Sequence, residues 1–270
     1  MILPQTEWVQ PTEYPDLRSY DEIAIDLETR DPDLKSKGSG AVVGNGEVVG
    51  IAVATYNDKW YFPIAHQEGP NMDRVKTLEW FKDILVCPAT KIFHNAMYDV
   101  SWIRNLGFNI NGLLVDTMIA CSLLDENRFS YTLNTLSWHF LNEGKNERAL
   151  NEAAKSRGLD PKADMWQLPA MYVGSYAEKD AELTLELWQI FKGEAKFGGY
   201  SNFDFVLSSH GKSCPGIFKL PTQYAAVPAI QFAPRPVAIT SRNRPPVPVV
   251  APGNGATPVG KLCVSAVNNG

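Results

Sequence analysis

A chain of 270 residues, 44% hydrophobic and with seven tryptophans, has the material for one large domain or two small ones around a real core. Its formal net charge is −5, unevenly spread: residues 193–270 carry seven Lys or Arg against two Asp or Glu, which leaves 18 against 28 in residues 1–192, an acidic body that is not the usual footprint of a nucleic-acid binder. No signal peptide opens the chain, no apolar run is long enough to span a membrane, and Cys87, Cys121, Cys214 and Cys263 form no CxxC pair, so a reducing cytoplasm is expected, with no membrane partner, zinc site or disulfide framework.

Residues 1–20 are polar, hold three prolines, and are expected to form an extended leader. Glu22–Leu27 reads as a short buried strand. The stretch Asp31–Gly46, rich in Gly, Asp and Lys, reads as a flexible loop. Val48–Thr55 and Trp60–Ile64 are β-rich runs joined across Asn57-Asp58, which predicts a hairpin. Asn71–Val86 carries Val75, Leu78, Trp80, Phe81, Ile84 and Leu85 at helical spacing, with Pro88 to stop it. A short strand over Lys91–Phe93 is followed by a helix over Tyr98–Leu106 that Gly107 ends. Leu113–Val115 is a further strand, and Asp116-Thr117 can cap the helix that runs on to Leu124. Helices are also expected over Tyr131–Leu141 and Pro169–Phe191. Strands first, then alternation of strand and helix, predict an α/β domain with a mixed five-stranded sheet flanked by helices.

Residues 193–270 hold ten of the 19 prolines and none of the tryptophans, and runs such as Arg244-Pro245-Pro246-Val247-Pro248 can enter neither a helix nor a central strand. They are expected to form a low-complexity, disordered or loosely extended tail without a catalytic motif.

Three acidic clusters carry the chemistry: Asp26-Leu27-Glu28, His94-Asn95-Ala96-Met97-Tyr98-Asp99 and Tyr176-Ala177-Glu178-Lys179-Asp180. Alternate strand residues share a face, so Asp26 and Glu28 project together from the end of the first strand. Asp99 follows another strand at the start of a helix, and Tyr176 and Asp180, four apart, share a helix face. Carboxylates are hard oxygen donors suited to Mg²⁺ or Mn²⁺. Four of them together would repel one another strongly unless cations neutralise them. Two such ions about 4 Å apart can activate a water and stabilise a leaving 3′ oxygen.

With their order and spacing, these motifs resemble the DEDD exonuclease superfamily, which has a ribonuclease-H-like fold. They resemble its tyrosine branch, because Tyr176 stands four before Asp180; the histidine branch wants His five before it, where this chain has Ser175. The flanking runs Val115-Asp116-Thr117-Met118 and Tyr131-Thr132-Leu133-Asn134-Thr135-Leu136 look like the proofreading domain of family-A DNA polymerases, particularly those of phages. The resemblance covers roughly residues 20–192 and implies a 3′–5′ exonuclease domain over 21–192, in a bacterial or phage-infected cytoplasm. It implies that Asp26 bridges two divalent ions, that Glu28 and Asp180 complete the first site, and that Asp99 holds the second. It also implies that Tyr176 orients the attacking water, and that Thr29 and Asn95 contact the terminal nucleotide of a single-stranded DNA 3′ end. A family-A polymerase would continue past Phe191 into its polymerase body, which this chain does not resemble. The chain thus reads as a stand-alone nuclease, a split subunit that works beside a polymerase, or a truncated or frame-disrupted polymerase, and the abrupt change near Gly193 favours the last.

Singly, each signal has a simpler explanation. Asp26-x-Glu28 alone is usually a strand-end turn, Asp99 a first-turn acid favoured by the helix dipole, and Asp180 a solvated charge. Together they favour a metal site. Asp116 is explained by capping, His94 by local hydrogen bonding, Lys35 and Lys37 by a solvated loop, and Trp80, Trp102 and Trp188 by core packing. Two other functions compete with DNA editing: an RNase D-like exoribonuclease, and a catalytically inactive binding or scaffold module.

Overall fold

The central strand, β1 (Glu22–Arg30), is buried on both faces: its odd positions Ile23, Ile25 and Leu27 are apolar, and its even positions place Ala24 between the acids Glu22 and Asp26. The computed structural model describes residues 6–197; most of the tail expected over 193–270 lies outside the described residues. After β1, two helical turns, α1 (Leu34–Lys37) and α2 (Gly40–Val43), occupy the stretch that reads as a flexible loop. The Asp31 carboxylate organises it by accepting the Gly40 N–H at 3.0 and 3.1 Å, and Asn45 Nδ2 donates to Asp33 at 2.8 Å. The hairpin follows as β2 (Glu47–Ala54) and β3 (Lys59–Pro63).

Helix α3 (Arg74–Val86) starts at Asp73, whose side chain accepts from the Val75 and Lys76 N–H groups. Then come β4 (Thr90–Phe93), α4 (Ala96–Asn105), β5 (Leu114–Asp116), α5 (Thr117–Leu124) and α6 (Leu133–Phe140). Helix α7 (Arg148–Arg157) and a 3₁₀ turn at Met165–Gln167 precede the long α8 (Ala170–Phe197). The sheet order is β3-β2-β1-β4-β5, with the hairpin pairs antiparallel and the β1–β4 and β4–β5 pairs parallel. This is the mixed five-stranded sheet with flanking helices that the strand and helix pattern predicts.

The two sheet faces differ in side-chain size. Ile23, Ile25, Ile51, Val53 and Phe62 pack against α3 and α4. On the other face stand Ala24, Ala52 and Ala54, whose small side chains give α8 a close approach to the sheet. By strand alternation, Asp26 and Glu28 continue the Ala24 face and point toward α8. The leader has no regular element over residues 6–20, but it is fastened down. Trp8 lies on Gly174, where an added Cβ would meet the indole at 2.1 Å, and donates to Glu178 at 2.8 Å. Tyr14 stacks on Phe62, and Leu17 is buried. No helix among the described residues is long and apolar enough to cross a membrane.

Candidate active site

The end of β1 is shaped for its carboxylates. Opposite Glu28 on β2 stands Gly50, and the β1–β2 register shifts between Glu28 and Thr29. A Cβ at Gly50 would meet Tyr61 Oη at 2.0 Å, so the glycine makes room for that ring. The Leu168 carbonyl takes the His66 Nδ1 proton at 2.8 Å, which leaves His66 Nε2 to accept from Tyr61 Oη at 2.7 Å. Burial pushes the His66 pKa down to about 4, so the ring is neutral near pH 7.

Asp99 arrives on α4. That helix begins two residues earlier than its own sequence suggests because Asp116 reaches back to it. The Asp116 carboxylate accepts the N–H groups of Asn95 at 3.0 Å and Ala96 at 2.8 Å, and also caps α5 through Met118 at 2.9 Å. Asp99 Oδ1 in turn accepts the Leu27 N–H at 3.0 Å, which ties α4 to β1 between Asp26 and Glu28. Tyr176 and Asp180 come from α8, both buried and on the face turned to the sheet.

The four carboxylates feel one another. Burial, then the charge of Asp180, pushes the Asp26 pKa up to about 7. Burial, then Asp26 and Asp180, raises Glu28 well above the usual carboxylate range. Asp99 is raised by burial and Asp26, Asp180 by burial, and the Tyr176 hydroxyl by burial and Asp180. Buried Glu28 Oε1 and Asp180 Oδ1 have no hydrogen-bond partner. Such starved oxygens are costly unless something positive meets them. One positive group is already there: Lys145 Nζ pairs with Asp180 Oδ2, lies 3.4 Å from Tyr176 Oη, and stands 5.2 Å from the centre of that ring. As the side chains stand, no group of three or more His, Cys, Asp or Glu among the described residues converges closely enough to hold a metal ion. Donor type and unpaired oxygens fit a hard divalent cation.

The two expected substrate contacts sit at the rim. Thr29 Oγ1 donates to Tyr98 Oη at 2.7 Å, since Tyr98 donates to Asp31 at 3.1 Å. Asn95 is exposed, takes the left-handed conformation at φ 64°, and makes no capping hydrogen bond with its side chain. His94 Nδ1 donates to Thr117 Oγ1 at 2.8 Å, because that hydroxyl donates to the Phe93 carbonyl at 3.2 Å. Burial with the Lys145 charge lowers the pKa of that ring to about 4.

The sequence profile of the 3′–5′ exonuclease family matches residues 14–196. The chain belongs to that family. The exonuclease is 32% identical over 211 residues to a DNA-directed DNA polymerase of Pseudomonas phage M6, an alignment covering 71% of this chain and 32% of the polymerase. It is 28% identical over 183 residues to the DNA polymerase DpoZ of Salmonella phage PMBT28, covering 65% of this chain and 27% of that one. The exonuclease thus spans about a third of the length of the phage polymerases it matches. Similar solved structures include Escherichia coli RNase D, an exoribonuclease, at 17% identity and a TM-score of 0.46 over 68% of this chain and 42% of that one. Brucella melitensis NrnC with bound Mg²⁺ is 18% identical, with a TM-score of 0.46 over 68% and 78% of the two chains.

Lys145 is the site residue that sequence reasoning missed. It sits in a polar run, Asn142-Glu143-Gly144-Lys145-Asn146, that carries no motif.

Proposed function

We propose that this exonuclease removes nucleotides from the 3′ end of single-stranded DNA, as the editing part of a phage-type family-A DNA polymerase, with two Mg²⁺ or Mn²⁺ ions. The observation that carries this reading is the pair of unpartnered, buried carboxylate oxygens on Glu28 and Asp180, within a cluster that Asp26 and Asp99 complete. The phage polymerase relatives favour DNA as substrate and a polymerase domain or subunit as partner.

Asp26, Glu28, Asp99 and Asp180 would hold the ions. When bound, these lower the pKa of the attacking water and neutralise charge on the leaving 3′ oxygen. The Tyr176 hydroxyl, kept protonated by its raised pKa, holds that water by a hydrogen bond. Asn95 and Thr29, at the rim, contact the terminal nucleotide. Residues 21–192 act as the nuclease domain, and residues 193–270 take no part in cleavage.

The test is hydrolysis of 5′-labelled single-stranded DNA and of the matched RNA, with Mn²⁺ or EDTA. The expected result is a metal-dependent ladder shortening from the 3′ end, faster on DNA. A preference for RNA would assign the site to exoribonuclease work. A folded protein inert on both would contradict the proposal.

A further inference from the structure

The α6–α7 connection is built to carry one side chain into the carboxylate cluster. Asn142 takes the left-handed conformation at φ 55°. Gly144 lies flat on Trp138, where a Cβ would meet Nε1 at 2.4 Å. Glu143 pairs with Lys179 at 2.7 Å, and Asn134 Oδ1 accepts the Lys145 N–H at 3.3 Å. From this fixed backbone the Lys145 side chain turns inward and is only 14% exposed.

We propose that Lys145 is a resident counter-cation of the carboxylate cluster: it keeps the site in order before metal loads, and it competes with divalent cations for Asp180. This rests on reading the four acids as metal ligands. The ammonium takes Asp180 Oδ2 and leaves Oδ1 of the same carboxylate, and Glu28 Oε1, without partners. One positive charge among four acids therefore holds the cluster without satisfying it. A lysine suits the role, because its compact charge ends a flexible stem and can withdraw when a doubly charged ion arrives. Metal and ammonium repel each other and want the same oxygen, so each weakens the other's hold to the same degree.

The experiment measures Mn²⁺ affinity of the full 270-residue chain by the paramagnetic resonance of free Mn²⁺, alongside melting in EDTA. Lys145→Met is expected to melt lower in EDTA yet to bind Mn²⁺ more tightly, on the order of tenfold. Lys145→Arg, which keeps the charge, is expected to stay close to wild type. Lys145→Gln serves where Lys145→Met does not fold without metal. Unchanged or weaker Mn²⁺ binding in the uncharged variants would overturn the competition while leaving the metal reading intact. No Mn²⁺ uptake by wild type or variants would overturn both.

Discussion

The two ends of β1 each bury a glutamate, and the two are treated in opposite ways. Glu22, at the start, accepts from Trp188 Nε1 at 3.0 Å, Gln189 Nε2 at 2.9 Å, Lys192 Nζ at 2.8 Å and the Tyr56 hydroxyl. Its burial alone would raise the pKa, but these donors, Lys192 foremost, bring it down to about 2. Glu28, six residues on, has an oxygen with no donor and other acids for neighbours, so its pKa is raised instead. Strand and burial are shared; the surroundings differ. A carboxylate supplied with every donor it can use is a bolt, here fastening α8 to β1. A carboxylate left short is a candidate for charge from outside the chain.

Breaking the starved end should cost activity, and breaking the satisfied end should cost stability. Asp26→Ala is expected to lower exonuclease turnover by roughly a thousandfold or more, because it removes the residue assigned to both ions. Melting in EDTA should show the variant at least as stable as wild type, since a repelling charge is gone. Glu22→Gln should do the reverse, with activity kept in the cold and stability lower by roughly 2 kcal/mol in urea titration, because Lys192 loses its charged partner. Tyr176→Phe removes one water-orienting hydrogen bond and no ligand, so turnover should fall by about tenfold with Mn²⁺ affinity unchanged.

The smallest effect separates the two ends by pH. Asp26 has a folded pKa of about 7 against an ordinary 3.8, so its charged form is the disfavoured one in the fold. Metal-free stability should rise as pH falls from about 7 toward 4, and Mn²⁺ affinity should fall over the same window. Glu22 runs the other way: its folded pKa of about 2 lies below its ordinary 4.5, so its contribution is complete above 4.5 and is lost as pH drops toward 2. A metal-free melting temperature that falls between pH 7 and 5 would contradict the contrast.

What was legible in the sequence was local or periodic. Alternation placed Asp26 and Glu28 on one face, helical spacing paired Tyr176 with Asp180, and Asp116-Thr117 announced a cap. Asp116 also caps α4 from 20 residues away, which no local rule shows. Helix α7 went unread because only Leu150, Ala153 and Ala154 of its ten residues are buried, too thin a stripe within a polar run. The leader read as extended; that Trp8 bonds Glu178, 170 residues on, could not be read. The Glu22 bolt and the Lys145 arm were illegible for the same reason, since each joins residues that only the folded chain brings together. The expectation for 193–270 lies mostly outside the described residues.

The most direct test of the contrast is anomalous diffraction from crystals of the protein soaked in Mn²⁺. The expected result is two peaks about 4 Å apart against Asp26, Glu28, Asp99 and Asp180, with Lys145 withdrawn and nothing at Glu22. Peaks at the Glu22 end, or none with Lys145 still on Asp180, would contradict it.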